Sequence, residues 1–392
     1  MKLDFHGLVD EVNQLKNAKR YPFLPIVEAV DHHRARLADA GEVRMFASCD
    51  YLGLSQDEGI KARSIDAIAK YGTNTFGAQI YSGHTRIHHS LEAGLAAFME
   101  KEAALLFPSG MHANIGVITA LMGPKDVVIN DRLNHSSLFM GTQQSGAKQR
   151  NFRHADMNHL EDILAESQGC ERRLIATDGV FSADGDIAPI KEICRLAKKY
   201  DAMVMVDEAH AVGIFGKQGR GAAEYEGALA DVDIVMGTMS KAFGSVGGFV
   251  AASDDIVTYL RHAAPAYTSS RGSPPAVAAA SLAALEKIRA GDALRAAVLA
   301  NTGFVLTTLR NAGINCLNGV APTIPVVVGT KEKAIGLSRW LLDRGILVSA
   351  MVPPTVPPGG SRIRLGITAL HSQEDLDVLV ELLLEARGVF DF

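Results

Sequence analysis

Apolar positions along the 392-residue chain recur with two periods. From about residue 58 to 260, short β-rich apolar runs alternate with stretches whose apolar positions follow a helical repeat. The runs lie at 103–107, 127–130, 173–178, 202–207, 234–238 and 248–252. Helical patterns at 111–121, 160–166 and 189–199 separate several of them. This rhythm predicts an α/β fold with a mostly parallel sheet covered on both faces. The runs at 234–238 and 248–252 are too close for a helical crossover, which predicts an antiparallel pair.

The first 40 or so residues read as a polar amphipathic helix, apolar at Leu8, Val12 and Leu15, followed by a turn and a short strand near 45–54. After Pro274-Pro275 the pattern predicts one long helix over 276–312. Then come a strand (323–328), a helix (331–344), a strand (347–351), a strand (362–368) and a helix (373–387), a smaller α+β unit. The loop 353–360, PPTVPPGG, is too rich in Pro and Gly for regular structure and is free to act as a flap. The expected organisation is an N-terminal helical arm and short strand (1–57), a large domain (58–285) and a small C-terminal domain (286–392).

Composition narrows the function classes. With 39 Lys+Arg against 44 Asp+Glu, no basic excess points to nucleic acid. The longest apolar run, 276–285, is too short to span a bilayer, and the N-terminal residues lack a signal-peptide apolar segment. Cys49, Cys170, Cys194 and Cys316 are scattered without a CxxC pair, so neither a disulfide framework nor a metal site is expected, and a cytoplasmic setting fits.

Candidate chemistry collects where apolar runs end. The run 202–207 ends at Asp207, with His210 three residues on. Polar groups at the carboxyl ends of parallel strands face the crevice where α/β sheets bind ligands. Asp207-Glu208-Ala209-His210 invites a nucleotide-hydrolase reading, but that requires a G-x-x-x-x-G-K-[ST] phosphate loop upstream, and the sequence has none. The run 234–238 ends at Thr238, followed by Ser240 and Lys241. A lysine among Met239, Phe243 and Val246 is either paired, covalently employed or a surface lysine with a buried stem. Together, Lys241 and Asp207 suit pyridoxal phosphate (PLP): the lysine forms a Schiff base and the aspartate keeps the ring nitrogen protonated.

Ser109-Gly110 precedes the helical pattern from Met111, and free N–H groups there can hold a phosphate or simply be capped by Ser109. His135 follows the run 127–130, placed to lie on a cofactor ring or to serve as an ordinary hydrogen-bonded histidine. Ser182 follows the run 173–178, within reach of the ring or a plain turn hydroxyl. Arg362 and Arg364 share a strand face, facing a substrate carboxylate or solvent.

The ordered set DYLGLS (50–55), SGHTRIHHSLE (82–92), FPSGMHAN (107–114), NHSS (134–137), FRHADMNHLE (152–161), GVFSADGDIAPI (179–190), VDEAHAVGIFGKQGRG (206–221), GTMSKAFGSVGG (237–248), SPP (273–275) and RIRLGITALH (362–371) resembles the α-oxoamine synthases, a fold-type-I family of PLP enzymes. The resemblance implies decarboxylative condensation of glycine, alanine or serine with an acyl thioester, carried by CoA or an acyl-carrier protein, giving an α-amino ketone. It implies that Lys241 binds PLP covalently, Asp207 pairs with the pyridine nitrogen and His135 stacks on the ring. Ser182 and His210 then lie near the ring hydroxyl. Ser109, Gly110, Met111, Thr238 and Ser240 form the phosphate cradle. Thr268 and Ser269 reach the phosphate of a neighbouring subunit, which implies a homodimer. Arg364 holds the substrate carboxylate.

The sequence departs from the family at Met111, where an aromatic residue is usual, at Cys49, where Asn is common, and at Gln79, where Arg is frequent in a segment lining the acyl-thioester entrance. Cys49 and Gln79 are therefore candidate substrate-binding residues. The rivals are another fold-type-I reaction (aldolase, decarboxylase or aminotransferase) and a non-catalytic partner subunit. In this family such subunits lack the lysine that this chain has.

Overall fold

The computed structural model describes residues 6–18 and 21–392, in two compact units. One comprises Asp50–Ser182 and Asp186–Leu299; the other comprises residues up to Cys49, Ala183–Gly185 and Ala300–Phe392.

The first unit is built on a seven-stranded sheet in the order Ala103–Phe107, Gly248–Ala252, Ile234–Thr238, Met203–Asp207, Arg173–Asp178, Val127–Asp131, Lys148–Phe152. Gly248–Ala252 is antiparallel to both neighbours; the pairings from Ile234–Thr238 to the far edge are parallel. The nine-residue link between Thr238 and Gly248 explains the reversal. Phe249 sits opposite Gly237, and a Cβ on that glycine would lie 2.4 Å from the Phe249 ring. Four central strands are buried at every position, so both faces are covered. One side packs Leu105, Leu174, Met205 and Val250 with Ala113, Val117 and Ile118 of helix Gly110–Leu121 and Val257 and Leu260 of helix Asp254–Ala263. The edge strand Lys148–Phe152, KQRNF, escaped the sequence pattern because it is polar, as exposed edges commonly are.

The second unit holds a four-stranded sheet (Val27–Asp31, Arg34–Leu37, Gly41–Met45, Ile346–Leu347) and a three-stranded sheet (Thr323–Gly329, Ser361–Gly366, Ser349–Met351). Its core joins Phe46, Val305, Leu309, Ile324, Ile363, Leu365, Leu379 and Leu383. Helices Lys331–Leu342 and Gln373–Phe390 contribute Leu337, Leu341 and Leu379 to it.

Three expectations need correction. The N-terminal helix is only His6–Asn17, and a three-stranded antiparallel meander occupies 27–45. Alternation in Arg34–Leu37, with Ala35 and Leu37 buried, is a strand signal that the helical reading overrode. The long helix is two, Pro275–Ala290 and Asp292–Asn311, because the Gly291 N–H turns back to Ile288 O at 3.2 Å. The 347–351 strand is two short ones: Ile346–Leu347 pairs parallel with Gly41–Met45, and Ser349–Met351 pairs antiparallel with Ser361–Gly366. The 353–360 segment has no helix or strand, and Val356 is buried within it. Among the described residues no helix is long and apolar enough to cross a membrane.

Candidate active site

Asp207 closes its strand almost fully buried, 4% exposed. Its Oδ1 accepts the Ala209 N–H at 2.9 Å, and its Oδ2 accepts Asn114 Nδ2–H at 2.8 Å. Asn114, on helix Gly110–Leu121, also donates from Nδ2 to Ser137 Oγ at 2.8 Å. Ser137 Oγ lies 2.7 Å from His135 Nδ1. Both Asn114 amide hydrogens are thus committed, and the Ser137 hydroxyl hydrogen goes to the histidine. The Ser137 N–H points at the same nitrogen, 3.3 Å away. His135 Nδ1 is therefore an acceptor, and the ring proton sits on Nε2. Burial lowers the His135 pKa, Asp207 partly offsets this, and the Lys241 charge lowers it further. The imidazole is neutral around pH 7.

Asp178, at the end of the adjacent parallel strand, accepts the His135 N–H at 3.2 and 3.1 Å. Its pKa is pushed well above the carboxylate range, first by burial and then by the Asp207 charge; the His135 N–H and Lys241 pull the other way. Asp207, Asp178, His135 and Lys241 therefore share one electrostatic neighbourhood at the carboxyl end of the sheet. Neither Asn114, Ser137 nor Asp178 stood out in the sequence; the Asn114–Asp207 bond spans 93 residues. Replacing Asn114 with Leu is expected to cost about 1–3 kcal/mol of stability by stripping a donor from a buried carboxylate. Denaturant unfolding measures it, and an unchanged midpoint contradicts the assignment.

A second cluster faces the start of helix Gly110–Leu121. Ser109 caps it, accepting the His112 N–H at 3.2 Å. A Cβ on Gly110 would sit 3.3 Å from Thr238 Cβ, and one on Gly248 would lie 2.6 Å from the Gly110 nitrogen. A side chain at position 248 would collide with the Ser109–Gly110 backbone, so Gly248 permits this close approach of helix start and strand end. Thr238 Oγ1 donates to Gly247 O at 2.8 Å and accepts the Ser240 N–H at 3.2 Å. Ser240 is exposed, and Met111 is 41% exposed on the helix's first turn. Lys241, half-buried, follows on the tied turn, and its carbonyl accepts the Gly244 N–H at 2.8 Å. Helix-end N–H groups beside Thr238 and Ser240 can hold a phosphate. With Lys241 for an aldehyde, a carboxylate for a ring nitrogen and a neutral imidazole, the donor set fits PLP.

His210 is buried, its Nδ1 2.7 Å from the Tyr51 hydroxyl. Ser182 is half-buried on the loop following Arg173–Asp178. Thr268 donates to Ala264 O at 3.3 Å, and Ser269 is exposed. Gln79 is buried, donating to Leu106 O at 3.3 Å, and Gly272 packs so closely on it that a Cβ there would lie 2.4 Å away. In the other unit, Arg364 Nη2 lies 4.0 Å from Cys49 Sγ. Its strand neighbour Arg362 is occupied structurally, donating to Asp184 Oδ1 at 2.8 Å and Ala183 O at 3.0 Å. Glu208 caps the short helix Ala222–Tyr225 through the Ala222 and Ala223 N–H groups, and burial pushes its pKa up to about 7.

Known proteins share this architecture. The family model for aminotransferase class I and II matches residues 43–383. An 8-amino-7-oxononanoate synthase from Geobacter sulfurreducens is 40% identical over 95% of this chain and 95% of its own length. A serine palmitoyltransferase from Bacteriovorax stolpii is 34% identical over 98% of this chain and 91% of its own. The solved structure of a serine palmitoyltransferase from S. paucimobilis with a bound PLP–myriocin aldimine superimposes with a TM-score of 0.95 at 29% identity, covering 99% of this chain and all of that one. Spanning nearly its whole length, these likenesses show that the chain belongs to the aminotransferase class I and II family, in the α-oxoamine synthase group.

Proposed function

We propose that this protein is a PLP-dependent C-acyltransferase that condenses a small amino acid with an acyl thioester, with loss of carbon dioxide, to an α-amino ketone. One observation carries the reading: Asp207 is linked through Asn114 and Ser137 to His135, and the neighbouring strand ends at Thr238 against a glycine-lined helix start, three residues before Lys241. The full-length likeness to 8-amino-7-oxononanoate synthases and serine palmitoyltransferases supports the acyl-transfer chemistry over other fold-type-I reactions.

Bound PLP supplies a ring that accepts electrons from the amino acid's α-carbon. The chain's residues do the rest. Asp207 would face the ring nitrogen and favour its protonated form. His135, uncharged, would help hold the ring. The helix start at Gly110, with Thr238 and Ser240, would hold the phosphate, and Ser182 and His210 would serve the ring hydroxyl. Arg364 pairs with the substrate carboxylate, and the Lys241 amine takes the α-proton. His210, oriented by Tyr51, polarises the thioester oxygen. Cys49 and Gln79 contribute to the substrate pockets. In this reading the enzyme is a cytoplasmic homodimer, Thr268 and Ser269 reaching the partner's phosphate; the exposure of Ser269 leaves it available.

Mixing the protein with glycine, alanine or serine, alone and with acyl-CoA or acyl-carrier protein, tests the reaction. Free thiol is expected only when both substrates are present. Thiol release without an amino acid, or turnover of the amino acid without a thioester, contradicts the assignment.

A further inference from the structure

We infer that His154, bridging Asp131 and Asp186, is a positioning residue for His135 and Ser182. This rests on the PLP reading above.

His154 lies just beyond the edge strand Lys148–Phe152, its side chain 19% exposed. Its Nδ1 is 3.1 Å from both Asp131 carboxylate oxygens, and its Nε2 is 2.8 Å from Asp186 Oδ2. Burial opposes the charged ring, but the bonds to Asp131 and Asp186 overcome it and push the pKa up to about 10. Both nitrogens therefore donate, and neither keeps a lone pair for a metal.

Each carboxylate belongs to a loop that leads to the candidate site. Asp131, 2% exposed, ends strand Val127–Asp131. Its Oδ1 accepts the Leu133 N–H at 2.9 Å, its Oδ2 accepts the Ala155 N–H at 2.9 Å, and its carbonyl accepts the Asn134 N–H at 3.1 Å. That turn delivers His135 as the next residue. Asp186 O accepts the Phe181 N–H at 3.0 Å, closing the loop that carries Ser182. The Phe181 ring stands edge-on to His154, centroids 4.5 Å apart and planes at 87°. One imidazolium thus holds the turn before His135 and the residues flanking Ser182. Neither contact reaches the reacting atoms, so His154 acts through the groups it places.

The substitutions His154→Gln and Asp186→Asn test this. Gln removes the charge and cannot aim two N–H donors in opposite directions; Asn leaves the Asp131 pairing in place. PLP is titrated into each apoprotein and followed by absorbance, and kcat and KM for the acyl thioester are measured beside the melting temperature. The expected result is a PLP Kd raised about tenfold or more and a lower kcat, with the thioester KM within threefold of the parent. A purely structural role would lower the melting temperature and leave the Kd of the folded variants alone. A Kd within threefold of the parent in either folded variant overturns the inference. So does unfolding of both variants at 25 °C, which assigns the bridge to the fold. A parent that binds no PLP overturns the cofactor reading as well, whereas a parent that binds it and variants that bind it equally overturn only this inference.

Discussion

Replacing Lys241 with alanine is expected to leave a folded protein whose turnover falls by at least about 10^3-fold. Loss of a positioned general base alone typically removes 10^2–10^4-fold, and the covalent anchor for PLP goes with it. The fold should survive because backbone and hydroxyl groups tie the turn. Thr238 Oγ1 donates to Gly247 O, the Met239 N–H to Gly247 O at 2.9 Å and the Ser245 N–H to Met239 O at 2.9 Å. Two measurements are needed: the thiol-release rate, and the visible absorbance of PLP mixed with the protein. A variant with the parent's spectrum would show that another amine holds the cofactor.

Asp207→Asn is expected to be nearly as damaging, lowering turnover by about 10^2–10^3-fold and weakening PLP binding. An opposite charge at contact distance raises a base's pKa by about 1–3 units, and each unit is worth about 1.4 kcal/mol. Asp207 would supply that charge to the ring nitrogen of bound PLP, and the neutral amide would not. Local geometry makes the substitution a near-isosteric probe, since the Ala209 N–H can still donate to the amide oxygen at position 207. Its second half then faces Asn114 Nδ2, donor against donor, and one of the two amides must turn. Turnover and PLP Kd within threefold of the parent would remove Asp207 from the mechanism.

The two residues with the largest expected effects were also the most legible. Asp207 and Lys241 are charges set at the ends of apolar runs, a conflict that a one-dimensional pattern displays. The supporting shell was not legible. Asn114 sits in a helix as an ordinary polar residue, and Tyr51 meets His210 across 159 residues of sequence. Asp178 resembled any strand-end carboxylate until the structure set it beside Asp207. In the fold, central strands were visible because full burial makes them continuously apolar. The N-terminal meander was hidden because Val27–Asp31 is exposed at every position and carries no alternation of burial. Period two put Arg362 and Arg364 on one strand face but could not show that Asp184 occupies Arg362.

Strand Gly41–Met45 is hydrogen-bonded in parallel to Ile346–Leu347. During synthesis the earlier strand leaves the ribosome about 300 residues before its neighbour exists. At roughly 5–20 residues per second, that is a wait of about 15–60 s. Until then the nascent meander offers an unpaired hydrogen-bonding edge to whatever is nearby, and slowed translation in the second half of the message would lengthen that exposure.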